Sequence, residues 1–364
     1  MIENYSLEID FLPVGDGAKS GDAIALRFGL YKDGVWDNQK VVVIDGGNLV
    51  SGNALVKHVK EVYKTNKVDR VILTHPDADH ASGLRPVIEQ LEVDRIWMHR
   101  PWNHWADLKD SIVDGRITKK SFTERVRENY QYAHDIEKLA NENKVKIVSP
   151  HQGLTYSFGD TAAITVLGPS KELYLSLVQA TGKTPDMAIF ESARTATFSA
   201  DAKTKRVRED LNFETENLVD TDHPTSPEND MSLILLITIG KARILLTGDA
   251  GTQGMYKAIY YATEQKLSLK NLDIFDIPHH GSRRNLSKGN LNYISAKYSV
   301  VSCSKLGSPK HPSPIVINSM IRRGMTPYKT QGSLLSFRFG NAPSREGYST
   351  AMPLTFTSIV EIPD

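Results

Sequence analysis

The chain of 364 residues contains a single cysteine, Cys303, and its 44 lysines and arginines nearly balance its 43 aspartates and glutamates. One cysteine excludes an internal disulfide framework and a cysteine-rich zinc site. The net charge of +1 provides no overall field that would attract a polyanion. Any metal must therefore be held by histidine and carboxylate, and any nucleic-acid binding must depend on a local patch.

The sequence also lacks a long apolar run. No segment approaches the length that spans a bilayer, and residues 1–14 contain no basic region followed by an apolar stretch. We therefore expect a cytoplasmic protein with no membrane partner. With 40% hydrophobic and 24% charged residues, the chain can bury the core of one large domain.

Short apolar runs alternate with helical patterns along the chain. Runs rich in β-branched and aromatic residues, bounded by glycine or aspartate, predict strands near 6–15, 23–31, 40–47 and 68–75. Helical spacing follows the last two of these runs, and Ser82 is expected to cap the second helix. Further strand patterns return later in the sequence. This order predicts a layered α/β core.

Two intervals interrupt the alternation, although we expect residues 1–364 to form one domain. Residues 102–143 are charged and helical in spacing, which predicts a helical insertion. Residues 181–230 are polar and acid-rich, and we interpret them as a solvated, mobile loop; a flap over a substrate or partner is the alternative. KTKRVR, residues 203–208, could contact backbone phosphates, but a solvated charged loop is the simpler interpretation.

The stretch THPDADH, residues 74–80, crowds four polar side chains behind a strand: His75, Asp77, Asp79 and His80. On an extended segment His75, Asp77 and Asp79 share one side. Two carboxylates with no positive side chain between His75 and His80 repel each other unless a cation neutralises them. The pattern indicates a divalent-metal site. A self-bonded polar turn is the alternative, as is a calcium loop, against which histidine argues.

The same stretch resembles the metal-binding signature of the metallo-β-lactamase superfamily, His-x-His-x-Asp-His. Asp77 replaces the second histidine, a variant similar to the hydrolase domain of ComEC-type DNA-uptake proteins. Other segments resemble that family in the same order: VVVIDGG at 41–47, ENDMSLILLITIGKARILLTGDA at 228–250, DIPHHGS at 276–282 and GSPKHPSP at 307–314. The resemblance implies an α/β fold, an αββα four-layer sandwich of two mixed sheets with helices outside.

The resemblance also implies which residues bind metal. It makes Asp249 a carboxylate that bridges two divalent ions, and Asp45 a residue that orients a ligand. One ion would be bound by His75 and Asp77, and the other by Asp79, His80 and His311.

One ligand of the superfamily has no counterpart in this sequence. The superfamily usually supplies another histidine before the bridging aspartate, and the matching place, ITVLGPS at 164–170, has none. His151 is the one nearby candidate, and water, substrate or His279 could complete the site instead.

An aspartate in place of an imidazole hardens the site toward oxygen-preferring ions. We therefore expect two divalent ions, zinc or manganese, with magnesium also compatible. Such a pair would share a hydroxide and stabilise the attacking and leaving oxygens of an in-line displacement. Asp79 would orient the hydroxide, and His279 or His280 would protonate the leaving oxygen or bind a phosphate. Because adjacent histidines at a strand end face opposite ways, we expect only one of this pair to be catalytic.

The substrate is indicated by the residues after the histidine pair. Ser282, Arg283 and Arg284 follow it, and guanidinium groups suit phosphate, which favours a phosphodiester. MHRPWNHW, residues 98–105, could stack bases, while packing of the helical insertion is the equal alternative.

We expect a nuclease acting on DNA, with single-stranded DNA or a nucleotide as substrate. An ester or lactone hydrolase and a non-catalytic interaction module are the alternatives. Free-standing proteins similar to this one occur beside bacterial anti-phage genes, and a regulatory protein partner would suit the two insertions. These last points rest on the resemblance.

Overall fold

The computed structural model describes most of the chain: residues 5–15, 17, 19–112, 114–184, 204–220, 224–306 and 311–363. Within these ranges the strands form two seven-stranded sheets and two small two-stranded sheets. None of the helices in these ranges combines the length and the apolar character that a membrane span requires.

The first large sheet is half antiparallel and half parallel. In spatial order its strands are β17 (Leu335–Phe339), β1 (Tyr5–Phe11), β2 (Ala23–Lys32), β3 (Val35–Gly46), β5 (Arg70–Ile72), β7 (Arg95–Trp97) and β8 (Lys146–Val148). Pairing is antiparallel from β17 to β3 and parallel from β3 to β8. Parallel strands end at one edge of a sheet, where ligands commonly bind.

The second large sheet has the same division. In spatial order its strands are β16 (Thr326–Lys329), β15 (Ala296–Val301), β14 (Leu272–Asp276), β13 (Ala242–Leu246), β12 (Ile234–Ile239), β10 (Ala162–Gly168) and β9 (Thr155–Ser157). Pairing is parallel from β16 to β13 and antiparallel from β13 to β9.

Two short strand pairs complete the sheets. The strands β4 (Lys67–Val68) and β6 (Glu92–Val93) pair in parallel, and β11 (Thr204–Arg208) pairs antiparallel with β18 (Ile359–Pro363). The predicted mobile loop, residues 181–230, therefore contains a strand. Residues 185–203 and 221–223 of that interval lie outside the described residues.

Helices cover the outer faces of both large sheets. In chain order they are α1 (Leu49–Glu61), α2 (Ala78–Ala81), α3 (Leu84–Gln90), α4 (Trp105–Leu108), α5 (Lys119–Asn129), α6 (Gln131–Glu142), α7 (Lys171–Ala180), α8 (Pro227–Asp230), α9 (Thr252–Glu264), α10 (Pro278–Gly281), α11 (Lys288–Leu291) and α12 (Pro314–Arg322). The outer face of the first sheet packs against α1, α3, α5 and α6, and that of the second against α9 and α12.

The layers follow from side-chain alternation along the strands. In β3, Val42 and Ile44 belong to the core between the two sheets, whereas Val41 and Val43 contact the helices outside. All four side chains are at most 1% exposed. A strand buried on both faces explains the continuous apolar run in the sequence. The predicted four-layer α/β sandwich is confirmed.

The interval 102–143 contains α4, α5 and α6, and its tryptophans are packing residues. Trp102 is 1% exposed, and its Nε1 donates to Glu137 Oε2 at 2.9 Å. Trp105 packs edge-on against Phe122 with ring centroids 5.5 Å apart. These two rings therefore build the insertion, and Trp102 is not available to stack a base.

Ser82 does not cap α3, contrary to the prediction. The helix follows Gly83 without a side-chain cap, and the Ser82 hydroxyl donates to the Gly47 carbonyl at 3.2 Å. A Cβ on Gly83 would lie 1.9 Å from the Gly46 carbonyl oxygen. This close approach, which only glycine permits, holds the segment after THPDADH against the end of β3.

Candidate metal centre

The polar clusters of the sequence meet where parallel strands of both sheets end. Asp45 lies at the end of β3 and His75 lies beyond β5, in the first sheet. Asp249 lies beyond β13, and His279 and His280 lie in α10 directly after β14, in the second sheet. The two sheets thus contribute their strand ends to one site, as is usual for open α/β layers.

The carboxylate of Asp249 lies at the middle of this site. Its Oδ1 is 3.5 Å from His80 Nε2 and 3.6 Å from His280 Nε2. Its Oδ2 is 3.7 Å from both His75 Nε2 and His279 Nε2. Each carboxylate oxygen therefore faces two imidazoles, one from the THPDADH stretch and one from the histidine pair.

The other ring nitrogen of each imidazole has a partner that fixes the tautomer. His80 Nδ1 is 2.8 Å from Asp45 Oδ2, and His280 Nδ1 is 2.8 Å from the Ser302 carbonyl oxygen. Both partners can only accept, so Nδ1 carries the proton in each ring. In the neutral ring of each residue, Nε2 therefore presents a lone pair to the carboxylate.

The remaining two rings have the same tautomer. The Thr74 hydroxyl donates to Asp45 Oδ2 at 2.6 Å, so its oxygen accepts from His75 Nδ1 at 3.1 Å. Asn285 Nδ2 donates to a backbone carbonyl at 2.9 Å, so its Oδ1 accepts from His279 Nδ1 at 2.9 Å. In their neutral forms, all four imidazoles thus direct an unprotonated Nε2 at one carboxylate.

This arrangement fits a bound cation. The Nε2 atoms of His75, His80 and His280, and Oδ1 of Asp249, are buried and have no hydrogen-bond partner among the described residues. Lone pairs that face a carboxylate in a buried site are unfavourable unless a positive charge lies between them. Imidazole nitrogens and carboxylate oxygens are common ligands of divalent metals. The residues present therefore fit the metal that the sequence implies.

The described residues offer more than one position for an ion. Four sets of side chains place ligand atoms within 4.8 Å of one another: His75, His80 and Asp249; Asp79, His80 and His280; Asp22, Asp249 and His280; and Asp22, Asp45 and His80. Asp77 lies beside the first of these sets, with its Oδ2 3.9 Å from His75 Nε2. Asp249 belongs to two of these four sets, so adjacent ions could share its carboxylate.

Electrostatics keep Asp249, His75 and His280 in forms that bind cations, whereas His80 must release a proton to bind one. Burial alone would raise the pKa of the Asp249 carboxyl, but the surrounding imidazoles, His279 foremost, hold it well below its usual range. Burial lowers the pKa of His280 to about 3 and also lowers that of His75. Burial would lower the pKa of His80 too, but the carboxylates that face it raise it well above its usual value. Asp249 is thus ionised, and His75 and His280 are neutral, near pH 7.

Comparison with known protein families agrees with the fold. The family model described as the metallo-β-lactamase superfamily matches residues 35–305. The chain belongs to this superfamily. Members of the metallo-β-lactamase superfamily are generally hydrolases. No significant match was found among curated proteins.

Several solved structures are similar at low sequence identity. CmlA, a diiron β-hydroxylase from Streptomyces venezuelae, is 12% identical with a TM-score of 0.46, and the match covers 93% of this chain and 54% of that one. A diphosphatase of the PhnP family is 12% identical with a TM-score of 0.40, covering 92% and 98%. The Rm3 metallo-β-lactamase is 10% identical with a TM-score of 0.31, covering 73% and 76%. The chain spans about half the length of the β-hydroxylase.

In this metallo-β-lactamase superfamily chain, the stretch after His75 is not extended throughout. Asp77 is the N-cap of the short helix α2, and Asp79 and His80 lie inside that helix. The prediction that Asp79 shares one strand face with His75 and Asp77 is therefore wrong. The helical turn instead groups Asp79 with His80 and His280.

The prediction that the adjacent histidines face opposite ways is also wrong. His279 and His280 have φ angles of 47° and 55°. This left-handed conformation is rare for residues other than glycine and is retained mainly where surrounding structure and function require it. Two such residues in succession form a tight turn, which brings both rings to Asp249.

His311 lies at the edge of the centre. Its ring centroid is 5.9 Å from that of His279 and 6.4 Å from that of His280. Among the sets of described residues that could share an ion, His280 and not His311 accompanies Asp79 and His80. Burial lowers the pKa of His311 to about 4, so the ring is neutral there.

His151, the candidate for the missing ligand, lies in a different cluster. Its ring centroid is 4.7 Å from that of His99, which in turn stacks on Tyr174 at 4.1 Å. His151 belongs to none of the described sets that could share an ion. His279, the other protein ligand considered for that place, lies beside Asp249.

Asp22, which precedes β2, was not among the predicted site residues. Its Oδ2 is 3.8 Å from His80 Nδ1, and the residue is 4% exposed. Burial, reinforced by Asp249 and Asp45, raises the pKa of the Asp22 carboxyl to about 7. A buried acid in this position was signalled by the aspartate in SGDAIALRF, a segment taken only as the start of a strand.

Two asparagines lie beside the ring of His279, and only Asn285 accepts the proton on its Nδ1. Asn229 Nδ2 lies 3.2 Å from His279 Nδ1, a longer contact than the 2.9 Å from Asn285 Oδ1. Asn229 belongs to α8, within the polar interval 181–230. Part of that interval therefore builds the centre.

The residues predicted to bind substrate follow the histidine pair. Ser282 is 7% exposed, and its hydroxyl accepts from the Arg284 backbone N–H at 3.3 Å. Arg283 Nη1 donates to the Glu361 carbonyl of β18 at 3.1 Å. Arg283 thus contacts the C-terminal strand, and the binding of substrate by all three residues stays a prediction.

Proposed function

We propose that this protein hydrolyses phosphodiester bonds in nucleic acid with a pair of divalent ions, zinc or manganese, with magnesium also compatible. The observation that carries the proposal is the placement of Asp249, whose two oxygens each face two imidazole Nε2 atoms at 3.5 to 3.7 Å. A carboxylate flanked in this way suits two adjacent cations. Such a pair, when bound, supplies a hydroxide at neutral pH and stabilises charge on the attacking and leaving oxygens.

Two groups of residues would hold the ions, with Asp249 common to both. The first group is His75, Asp77 and His279, on the side of Oδ2. The second is Asp79, His80 and His280, on the side of Oδ1, with Asp22 adjoining. Asp45 would orient His80 through its hydrogen bond to Nδ1.

Asp79 would act on the attacking water. Its side chain is partly exposed, whereas its neighbours His80 and His280 are buried. A carboxylate at the mouth of the site can accept a proton from water and orient the resulting nucleophile.

The histidine pair would serve as ligands. The proton of each ring is on Nδ1, directed at Asn285 from His279 and at the Ser302 carbonyl from His280. Neither ring therefore has a proton on the nitrogen that faces Asp249, where a leaving oxygen would need one. We propose that both rings bind ions and that neither protonates the leaving group.

A phosphodiester is the substrate class that the surroundings favour. Arg284 and Arg283 follow the histidine pair and are partly exposed, and guanidinium groups pair with phosphate through two parallel hydrogen bonds. A carboxylic ester has no anionic oxygen with which these cations could pair. The resemblance to a DNA-uptake hydrolase domain supports single-stranded DNA or a nucleotide as the substrate. The resemblance to free-standing proteins beside anti-phage genes supports a regulatory protein partner and a role in anti-phage defence.

The test is a cleavage assay with defined metals. Metal is first removed from the protein with a chelator, and manganese, magnesium or zinc is then added. The substrates are labelled single-stranded DNA, double-stranded DNA and RNA, with bis(nitrophenyl) phosphate and a nitrophenyl ester in parallel. We expect metal-dependent cleavage of DNA that is lost in Asp79→Ala and kept in Asp94→Ala, whose carboxylate is 64% exposed and pairs with Arg95. Ester cleavage without phosphodiester cleavage would contradict the proposal and support the esterase alternative.

A further inference from the structure

A lysine reaches the candidate metal centre from the segment after α7. Lys183 Nζ is 3.3 Å from Asp77 Oδ1 and 3.5 Å from Glu228 Oε1. The same ammonium lies 4.9 Å from the ring centroid of Tyr130. Lys183 is thus placed between a proposed metal ligand and an acid of α8, against an aromatic ring.

The backbone around Lys183 is anchored on several sides. Its N–H donates to Thr181 Oγ1 at 3.2 Å, and its carbonyl accepts from Asn129 Nδ2 at 2.6 Å. The next residue, Thr184, donates its hydroxyl to the Val178 carbonyl at 2.7 Å. Because the backbone at Lys183 is already ordered, binding a ligand there costs less conformational entropy.

Both interruptions of the core contribute to this position. Tyr130 and Asn129 come from the interval 102–143, and Lys183 and Glu228 come from the interval 181–230. The Glu228 carboxylate also accepts the Thr181 hydroxyl. The two intervals therefore meet beside Asp77 and form one wall of the centre.

We propose that Lys183 binds an anionic phosphoryl oxygen of the substrate on the Asp77 side of the metal centre. The inference rests on the proposed function. An ammonium group has three donors, and Asp77 and Glu228 can take two of them. When the charge of Asp77 is shared with a bound cation, the ammonium of Lys183 keeps a donor for an anionic oxygen. A phosphodiester has such an oxygen, and a neutral ester does not.

Binding of inorganic phosphate to the metal-loaded full-length protein tests this without relying on turnover. Lys183→Met removes the charge and keeps an apolar stem against Tyr130. We expect its phosphate Kd to rise about tenfold or more, as the loss of a charge-assisted hydrogen bond predicts. Metal content and Tm should stay as in the wild type. Lys183→Gln, which is polar and uncharged, should give the same loss.

The matched control is Lys171→Met, at the other end of α7. Lys171 Nζ pairs with Asp107 Oδ1 at 3.1 Å, and its side chain is 49% exposed. This variant removes the same charge from the same helix region and should leave phosphate affinity unchanged.

Two results would overturn the inference. One is an unchanged phosphate Kd in both Lys183 variants; the other is loss of bound metal in both, which would make Lys183 a structural partner of Asp77. The proposed function fails separately. Phosphate binding that depends on Lys183, without phosphodiester cleavage, would keep this inference and remove the nuclease assignment.

Discussion

At the scale of single residues, the centre depends on groups that orient its imidazoles. Asn285 is 1% exposed and uses both ends of its amide, accepting from His279 and donating to the Asp249 backbone carbonyl at 2.9 Å. This pair of bonds determines which nitrogen of His279 is protonated. The ring could otherwise turn or change tautomer, and its Nε2 would then no longer be presented to the carboxylate.

Asn285→Ala is therefore expected to weaken metal binding by about 10- to 100-fold, the usual effect of removing a group that orients a metal ligand. Competition with a chromophoric chelator measures the affinity. Asn292→Ala is the control because Asn292 lies after α11 and is exposed. Equal affinities in wild type and Asn285→Ala would show that His279 is not a ligand or needs no orientation.

The sequence indicated which residues belong to the centre better than it indicated which of them lie together. His75 and Asp77 could be named because they follow an apolar strand, and Asp249 because its segment resembles the superfamily's motif. His311 was assigned to the ion beside Asp79 and His80, whereas the structure places His280 beside them through a left-handed turn of two non-glycine residues. Residue spacing alone does not reveal such a turn, since these residues rarely adopt it.

At the scale of elements, the site depends on a close backbone approach between β3 and the start of α3. A Cβ on Gly83 would meet the Gly46 carbonyl oxygen at 1.9 Å and the Asn48 carbonyl oxygen at 2.5 Å. Both obstacles are backbone atoms, which cannot rotate away. The segment that carries Asp79 and His80 is therefore held at a distance that no larger residue allows.

Gly83→Ala is expected to destabilise the protein by about 1–3 kcal/mol or more, the range for an overpacked site, and to reduce metal binding as α2 shifts. Urea unfolding monitored by circular dichroism measures the first effect. Gly115→Ala is the control, because a Cβ there meets nothing within 4 Å. If the two variants have the same unfolding midpoint, the close approach does not constrain the fold.

The strands and helices that a local apolar pattern determines were predicted. Those that depend on tertiary contacts were missed. The strands β2, β3 and β5 coincide with β-branched runs. Helix α2 has four residues, Ala78–Ala81, too few for a periodic pattern, so its segment was taken as extended. The start of α3 was placed at Ser82 because serine is a common cap, whereas Ser82 bonds back to Gly47.

At the scale of the whole molecule, a buried charge network joins the two ends of the chain. Asp10 of β1 accepts from Arg345 Nη1 and Nη2 at 3.0 Å, from Tyr63 Oη at 2.6 Å and from His58 Nε2 at 2.8 Å. Asp10 is fully buried. The segment after β17 is therefore fastened to the first strand and to α1, on which the first sheet packs.

This network makes stability depend on pH. Burial would raise the pKa of the Asp10 carboxyl, but His58 and Arg345 hold it well below the ordinary value of 3.8. A depressed carboxyl pKa stabilises the fold above the unfolded-state pKa, and this contribution is lost as pH falls through the folded-state value. Stability should therefore decline below about pH 4.

Asp10→Asn is expected to lower the free energy of unfolding by about 3–5 kcal/mol at pH 7, because it removes a buried carboxylate that pairs with the Arg345 guanidinium. The difference from wild type should shrink as the pH is lowered below about 4. Urea titrations between these pH values measure both effects, with the exposed Asp94→Asn as control. A difference that is constant with pH would refute the assigned charge state of Asp10.

The layered architecture as a whole was predictable, since the order of strands and helices restricts an α/β chain to few arrangements. The pairing of β11 with β18 was not, because Thr204 and Pro363 are far apart in sequence and β11 is highly charged. Long-range pairing of a polar strand has no local signal. The same holds for Lys183, whose approach to Asp77 joins residues 106 positions apart.

The central claim, that cations hold the four imidazoles around Asp249, is tested most directly by metal analysis. Inductively coupled plasma mass spectrometry on protein dialysed against zinc or manganese gives the number of ions per chain. The account predicts about two ions in the wild type and fewer in Asp249→Asn, because an amide has one oxygen and cannot bridge. A wild-type protein that retains no ion, or an Asp249→Asn protein that retains as many as wild type, would contradict it.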